Sequence, residues 1–297
     1  MVKIIGWILC CSFFTTSINA QTLLKDIEDS LPVKEKITGA FKSTRVINAH
    51  SVEMLHRHNL DFRIMHRFGF LSTGVKQLYG LDNATMRISF DYGLTDNTTV
   101  GFGRSTFRKE LDIFLKHRLL QQSTGAGSLP FSLIIIAGST IWTEQSFEPV
   151  KPGFTDRSSY YMQFVAGRKF NTIFSLQMSP IIVYSNTPSN IGDDKTIFAM
   201  GGGCRFKVSK RMALTIDYHH PFGKLNVVNT DPLSVGIDIE TGGHVFQLQF
   251  SNATGMNERA YITQTSGAFF KGDIRFGFNL SRIFKTGKKD KAIKLKY

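Results

Sequence analysis

The sequence has few cysteines, little tryptophan and, after its first residues, no long apolar run. Its 297 residues include three Cys and two Trp. Beyond the N-terminus no stretch approaches the roughly 18–20 apolar residues that a membrane-spanning helix needs, which excludes a helical membrane protein. Charged residues make up 20% and aromatic residues 12% of the chain, a composition that excludes intrinsic disorder. A soluble β-rich protein and a membrane β-barrel remain, and average hydropathy does not separate them.

The first twenty residues have the pattern of a secretory signal peptide. Lys3 precedes an apolar region over 4–14, and Ala20 is the small residue before the expected cleavage point. Cys10 and Cys11 leave with this segment. The mature chain is then expected to keep only Cys204, which excludes an intramolecular disulfide and a cysteine-based zinc site.

Positive charge is concentrated at the C-terminus. The formal net charge is +13, and the last 13 residues carry six Lys and one Asp. The excess on the rest of the chain is too small to point to nucleic acid, and we expect no nucleic-acid partner. The tail is a candidate contact for anionic lipid headgroups or for a periplasmic partner, and a merely solvated run is the alternative.

Apolar and polar residues alternate with period two from residue 60 onward. Met86, Ile88 and Phe90, for example, alternate with Arg87 and Ser89. This period predicts strands and not helices. About twelve such segments, most of them about ten residues long, follow one another at 60–69, 84–93, 99–106, 109–121, 130–141, 157–170, 172–184, 195–208, 211–219, 232–240, 244–253 and 272–283.

The length of these strands and the links between them favour a membrane barrel. Ten residues at roughly 3.3 Å each and a tilt near 40–45° span about 25 Å, the apolar height of such a barrel. Strands of soluble proteins average only about 5–6 residues. Tight turns largely alternate with longer links, with exceptions at 107–108 and 122–129. Twelve long strands around an apolar interior would also leave a poorly filled core, since side chains fill barrels of about eight strands well.

The predicted fold is therefore all-β, an antiparallel transmembrane β-barrel of about 12 strands. Apolar residues are expected to face lipid, and the polar residues that alternate with them are expected to face the lumen. The expected organisation is a signal peptide (1–20), an N-terminal periplasmic segment (21–58), an outer-membrane barrel (59–284) and a basic C-terminal tail (285–297).

Several stretches resemble a family of uncharacterised bacterial outer-membrane β-barrel proteins. Residues 41–69 contain T-R-x-I-N-x-H-S-V-E followed by D-F-R-I-x-H-R-F-G, which is similar to the opening of these proteins. Further similar stretches are 77–82, 90–104, 112–121 and 276–284. The resemblance implies a barrel in the outer membrane of a bacterium. It implies no substrate and no catalytic residue.

If the apolar faces point to lipid, a set of charged residues points inward. The candidate lumen-lining residues are Arg63, Arg67, Arg87, Asp91, Asp112, Lys116, Arg118, Asp217 and Arg275, joined by Asp61, Gln163, Gln247, Gln249 and Asn279. Six cations face four carboxylates in this set, which favours a small polar or anionic solute. The alternative is a network of mutually paired charges that fills a narrow lumen, because buried charges need partners.

Histidines and acidic residues give weaker indications of chemistry. Four histidines cluster early in the chain, but their spacing does not place them on one helix face; they are His50, His56, His58 and His66. Structural or solvated histidines are favoured over a metal or haem contact. Asp217, His219 and His220 end a strand without any nucleophile motif. We therefore expect no enzyme, no cofactor and no metal.

The leading function is a narrow passive channel or solute-uptake barrel of unknown substrate. The first alternative is a structural or interaction barrel with a closed lumen that acts through loops such as 142–156 and 254–271. An outer-membrane hydrolase is the second alternative.

Overall fold

The computed structural model describes residues 33–145, 151–226 and 228–287, and these contain a closed barrel of twelve antiparallel strands. The expected signal peptide, residues 21–32 and most of the basic tail lie outside the described residues. In chain order the strands are β1 (Asn59–Phe70), β2 (Ala84–Thr95), β3 (Thr98–Ser105), β4 (Glu110–Leu120), β5 (Ser132–Trp142), β6 (Ser158–Lys169), β7 (Phe174–Ser185), β8 (Thr196–Lys207), β9 (Met212–Phe222), β10 (Leu233–Thr241), β11 (His244–Ser251) and β12 (Arg275–Lys285). The predicted fold is confirmed.

Each strand pairs with its neighbours in sequence, and β12 pairs with β1 to close the barrel. At this seam Leu280 lies opposite Ile64 and Asn279 lies opposite Met65. Every predicted segment overlaps one observed strand, and the ends differ by no more than three residues. Period-two alternation located the strands well because most strands have one apolar and one mainly polar face.

The apolar faces of the strands point outward. Ile113 of β4 and Met178 of β7 are 58% and 54% exposed, whereas Asp112 and Lys116 on the opposite face of β4 are buried. This is the reverse of a soluble barrel and the arrangement expected where lipid surrounds the protein. The prediction of lipid-facing apolar residues and lumen-facing polar residues is confirmed.

The two ends of the barrel differ in their connections. One end, called the turn end, holds the links 96–97, 121–131, 170–173, 208–211 and 242–243 together with the first residue of β1 and the last of β12. The other, called the loop end, holds the links 71–83, 106–109, 143–157, 186–195, 223–232 and 252–274. The two irregular links expected from the sequence occur as predicted. The longer one contains a two-residue strand, Ser123–Thr124, which pairs with Glu35–Lys36 outside the barrel.

Helices are short in the described part of the chain. The α-helices are α1 (Phe154–Arg157) and α2 (Glu258–Thr263), and 3-10 turns lie at Leu71–Thr73, Val75–Gly80, Phe107–Lys109 and Phe269–Lys271. Within the described ranges no helix has the length and hydropathy needed to cross a bilayer.

Candidate functional site

Seven of the nine predicted lumen residues are buried within the barrel. They are each no more than 3% exposed and alternate with lipid-facing residues; they are Arg63, Arg67, Arg87, Asp91, Asp112, Lys116 and Asp217. Together they form much of the polar wall of the lumen.

Arg118 and Arg275 lie at opposite ends of the barrel rather than in this wall. Arg118 is half-buried at the turn end, where it lines a shallow cavity with Lys36. The Arg275 guanidinium lies over the ring of Phe70, 3.6 Å from its centre, at the loop end. A register shift between Arg275 and Gly277 interrupts the pairing of β12 with β1 at this end. The alternation of the sequence does not reveal such a shift.

Two ion pairs join charges within the wall. Arg87 binds Asp112 in a bidentate manner, with Nε 2.9 Å from Oδ1 and Nη2 2.5 Å from Oδ2. In the second pair, Arg63 Nη2 lies 2.6 Å from Asp61 Oδ2. Bidentate pairs of this kind are strong and geometrically specific. Arg87 is therefore already neutralised and is not a free cation for selecting an anionic solute.

The chain that precedes β1 enters the lumen. Residues 40–55, called the finger, form a re-entrant hairpin that is mostly buried. The Ser51 N–H donates to Thr44 O (2.9 Å), the Val46 N–H donates to Ala49 O (2.9 Å), and the chain reverses between them. The sequence led us to expect an N-terminal periplasmic segment over 21–58, and the structure has residues 40–55 of this segment inside the barrel. The physical reason is that a polar wall supplies partners for a buried backbone.

One lysine of the wall holds both limbs of the finger. Lys116 Nζ donates to Thr44 O on the entering limb (3.2 Å). It also donates to Ser51 O (2.8 Å) and Glu53 O (2.7 Å) on the returning limb. An ammonium group has three donors, so these carbonyls use its full capacity.

The tip of the finger is bound by a carboxylate. Asp217 Oδ2 accepts from the backbone N–H groups of Asn48 (2.8 Å) and Ala49 (2.9 Å). Arg67 Nη2 donates to the side-chain oxygen of Asn48 (2.8 Å). Charged groups thus bind both the backbone and the side chain of the tip.

Amide side chains of the wall complete the contacts along the finger. Gln177 donates to His50 O (2.7 Å) and accepts from the Val52 N–H (3.2 Å). Two further amide bonds reach the carbonyls before the tip, from Gln247 to Val46 O (2.7 Å) and from Asn279 to Ile47 O (3.0 Å). These amides take the place of a neighbouring strand for the finger backbone.

The returning limb is fixed at the turn end. The His58 N–H donates to Gly93 O (2.8 Å), and a Cβ at position 93 would lie 2.2 Å from His56 O, so this approach requires glycine. The Arg57 N–H donates to Asp96 Oδ1 (3.0 Å), and this bond lowers the pKa of Asp96. The finger is therefore tied to the β2–β3 turn just before β1 begins.

A second segment fills the lumen from the loop end. Residues 252–267 fold inward, and all six residues of α2 are buried. Glu110 of β4 anchors this segment by accepting from the side chains of Asn257 and Arg259. Where the segment meets the finger, Arg45 Nη1 lies 2.8 Å from Glu258 Oε1, and both side chains are buried. We call this pair the latch, and His50 Nε2 adjoins it at 3.3 Å from the same oxygen.

The lumen also has an apolar side. Inward residues of β5–β8 form a buried cluster with residues of the finger and of α2; the strand members are Ile134, Ile136, Tyr161, Val165, Ile181, Val183, Ile197 and Ala199. Val46 and Val52 of the finger and Tyr261 of α2 belong to the same cluster. The finger is thus held by hydrogen bonds on one side and by apolar packing on the other.

Open cavities lie beyond the two filling segments. A cavity of about 410 Å³ lies at the loop end, with Thr263 and Gln264 in its lining. A smaller one of about 220 Å³ lies at the turn end, with Phe41 and Glu53 in its lining. The filled section of the lumen therefore lies between two mouths.

The four clustered histidines have separate surroundings. His50 adjoins the latch, and His56 Nδ1 lies 3.4 Å from Asp96 Oδ1. His58 hydrogen-bonds to the Tyr92 hydroxyl (3.0 Å). His66 faces outward and stacks on Phe278, with ring centres 5.0 Å apart. Within the described ranges no group of three His, Cys, Asp or Glu residues is arranged to hold a metal ion.

A serine, a histidine and an aspartate meet on the lumen side of β7 and β9. Ser179 Oγ lies 3.5 Å from His219 Nε2, and His219 Nδ1 lies 3.4 Å from Asp217 Oδ1. Both contacts are long for hydrogen bonds. Tyr261 of α2 packs on the His219 ring, and the other oxygen of Asp217 binds the finger. All three side chains are buried. The expectation of no enzyme stays a prediction.

Sequence reasoning does not find the latch or its anchor. Arg45 lies before the first predicted strand, and Glu258 lies in a predicted loop, 213 residues away. Glu110 lies at the first position of β4, where its inward orientation was not singled out. A signal for Arg45 was nevertheless present, since it belongs to the T-R-x-I-N-x-H-S-V-E stretch that resembles the barrel family. That stretch is the central part of the finger.

The sequence matches one protein family over most of its length. Residues 41–284 match the model described as Membrane bound beta barrel domain (DUF5777). The chain belongs to this family. The match begins in the finger and ends in β12, so finger and barrel both lie within the DUF5777 domain. The family resemblance expected from the sequence is confirmed, and the protein is a membrane-bound β-barrel.

Three solved structures illustrate the similarity of this DUF5777 barrel to known barrels at low sequence identity. The NanC porin is 7% identical with a TM-score of 0.47, covering 77% of this chain and 100% of the porin. An outer membrane channel (COG4313) from Pseudomonas putida F1 is 14% identical with a TM-score of 0.48, covering 79% and 98%. Outer membrane phospholipase A from Escherichia coli is 11% identical with a TM-score of 0.41, covering 80% and 96%. These likenesses decide nothing about function, and no curated protein matches the chain.

Proposed function

We propose that this protein is a gated outer-membrane barrel for small polar solutes, closed at rest by the finger and by residues 252–267. The observation that supports it is a charged lumen wall whose groups bind the backbone of a re-entrant hairpin. Lys116 and Asp217 bind finger backbone groups, and the second Asp217 oxygen lies 3.4 Å from His219 Nδ1 of the wall. When the finger leaves, water can take over these hydrogen bonds at small net cost.

A permanently closed barrel would have little need for such a wall. Replacing buried charges by packed apolar residues is often neutral or stabilising, and β5–β8 already contribute apolar residues to the lumen. The charged residues opposite β5–β8 are suited to a lumen that fills with water in an open state. The expectation of a narrow passive channel is accordingly refined to a channel with a gate.

The finger also has a direction in which to move. Both its ends lie at the turn end, where the short links of outer-membrane barrels face the periplasm. We place the turn end on the periplasmic side, so that the finger withdraws into the periplasm. The loop end and residues 252–267 then belong to the extracellular side.

A reversible lock between finger and wall tests the gate. A Cβ at Gly203 would lie 3.0 Å and 3.3 Å from the two γ-carbons of Val46, which suits the Cβ–Cβ separation of about 3.5–4.5 Å in a disulfide. Val46→Cys with Gly203→Cys, in a Cys204→Ser background, should therefore cross-link the finger to β8. Lys116→Met in the same background removes the hydrogen bonds from the wall ammonium to the finger carbonyls.

Conductance in planar bilayers is the measurement. We expect Lys116→Met to increase the time that the channel spends conducting. The oxidised disulfide should abolish this conductance, and a reductant should restore it. The single variant Gly203→Cys is the matched control, since it changes the wall without a cross-link. Silence of every variant would favour the closed-lumen interaction barrel. Conductance that ignores the oxidised disulfide would show that the solute path does not pass the finger.

A further inference from the structure

The cavity at the loop end is the largest opening described above and lies directly over the C-terminal end of α2. Its volume of about 410 Å³ falls within the roughly 300–1,000 Å³ that is typical of small-molecule sites. Its lining contains four primary amides, among them Asn190, Asn229 and Gln264, three hydroxyl side chains, one arginine and one aromatic ring. We call this cavity the vestibule.

The vestibule presents many neutral donors and acceptors and little charge. Each primary amide offers two donor hydrogens and an acceptor oxygen. Asn229 Oδ1 is buried without a hydrogen-bond partner in the described structure, so it is free to accept from a ligand. Arg108 supplies the cation of the lining, and its Nε lies 3.9 Å from Glu144 Oε2, a carboxylate outside the lining. Phe107 contributes an apolar ring face.

Backbone strain positions the arginine and the aromatic ring. Arg108 and Lys109 have φ values of 49° and 50°, a left-handed conformation that side-chain-bearing residues adopt rarely and that clusters at functional sites. In this turn the Arg108 guanidinium lies 4.8 Å from the ring centre of Trp142 and 3.4 Å from Ser189 Oγ. The left-handed turn thus carries an arginine that contacts Ser189 of the vestibule lining.

We propose that the vestibule binds a hydroxyl-rich carbohydrate, uncharged or singly anionic. Sugar hydroxyls both donate and accept, as the amides of the lining do, and Phe107 offers an apolar face to the C–H side of a sugar ring. The Arg108 charge, which lies 3.9 Å from one carboxylate outside the lining, disfavours a cationic amino sugar. This inference rests on the proposed function, because it names the class of solute that the gated barrel takes.

Trp142 gives a direct optical readout. The sequence has two tryptophans, Trp7 in the expected signal peptide and Trp142 beside Arg108. Protein extracted from outer membranes into detergent is titrated with glucose, maltotriose, glucuronate and glucosamine while its fluorescence is followed. Isothermal calorimetry on the same samples measures binding without the fluorophore. Trp142→Phe must abolish the optical signal and leave the calorimetric one.

The expected result is a saturable response to maltotriose and glucuronate, weakened at least tenfold by Asn190→Ala with Asn229→Ala. Gln77→Ala, an exposed amide outside the vestibule at the same end, is the matched control and should bind normally. Glucuronate should bind more tightly than glucosamine because its carboxylate can pair with the Arg108 guanidinium. The difference should be no more than about fivefold, since this ion pair would be partly exposed. No saturable binding by either method, binding that survives the double substitution, or tighter binding of glucosamine would each overturn the proposal.

This experiment separates the vestibule from the gate. Saturable sugar binding by a protein that never conducts would retain the vestibule and reject the proposed gating. Conductance controlled by the finger disulfide without any sugar binding would retain the gate and reject the vestibule.

Discussion

Lys116→Met is the most incisive single test of how the finger is held. The substitution keeps the length of the side chain and removes the ammonium that donates to Thr44 O, Ser51 O and Glu53 O. Thr44 O keeps its bond from the Ser51 N–H. The carbonyls of Ser51 and Glu53 therefore lose their hydrogen-bond donor inside the lumen, at a gross cost of about 1–3 kcal/mol each.

A second effect opposes part of this cost. Burying an ammonium carries a desolvation penalty that methionine avoids, and this offsets the upper part of the gross loss of about 2–6 kcal/mol. We expect a net loss of about 2–4 kcal/mol in finger docking, which raises the withdrawn fraction roughly 30- to 700-fold at about 1.4 kcal/mol per decade. The strands themselves should be unaffected, since all three carbonyls belong to the finger.

Thiol accessibility measures this fraction. Val46→Cys in a Cys204→Ser background places the reporter in the buried finger, and a charged maleimide labels it only from the withdrawn state. Lys169→Met is the matched control, because Lys169 Nζ donates a single exposed bond to Thr38 O (2.9 Å) at the base of the finger. Its labelling rate should change by less than tenfold. Labelling of Lys116→Met at the reference rate, with the barrel intact by its thermal melting, would refute the account of finger docking.

Two further predictions concern the latch and the membrane face. Glu258→Ala leaves Arg45 buried without its carboxylate and should weaken docking by about 3–5 kcal/mol. Glu258→Gln keeps an oxygen acceptor for Arg45 and should weaken finger docking less. Equal labelling rates for the two Glu258 variants would contradict the role of the latch. Ile113→Arg, on the outward face of β4, should destabilise the folded barrel in lipid by about 2–4 kcal/mol, against about 0–1 kcal/mol for Val208→Arg at the turn end. Urea unfolding in vesicles measures both, and similar values would argue against a membrane midplane at Ile113.

The barrel could be predicted from the sequence because its information is local. In a strand, alternation fixes which residues share a face, so Asp112 and Lys116 had to lie opposite Ile113. The direction of the polar face followed from strand length and number. The same reasoning does not reveal the register shift beside Arg275, because such a shift in β12 is a property of the pairing and not of the strand's own residues.

The finger could not be predicted because its information is non-local. Residues 40–55 lack a strand or helix period, and their partners lie far along the chain. Asp217, for example, is 169 residues from Asn48. Alternation identified Asp217 as an inward carboxylate but not what it binds. Only closure of the barrel brings together the wall residues that hold the finger.

The arrangement of the latch makes the two filling segments depend on each other. Arg45 belongs to a hairpin tied to the turn end at Gly93, and Glu258 belongs to a segment anchored on Glu110 near the loop end. If either segment moves, the other keeps a buried charge without its partner, which is far more costly than losing an exposed pair. Movement of one segment therefore favours movement of the other. A lumen filled from both ends can in this way open as one unit, although its two closures are anchored at opposite ends of the barrel.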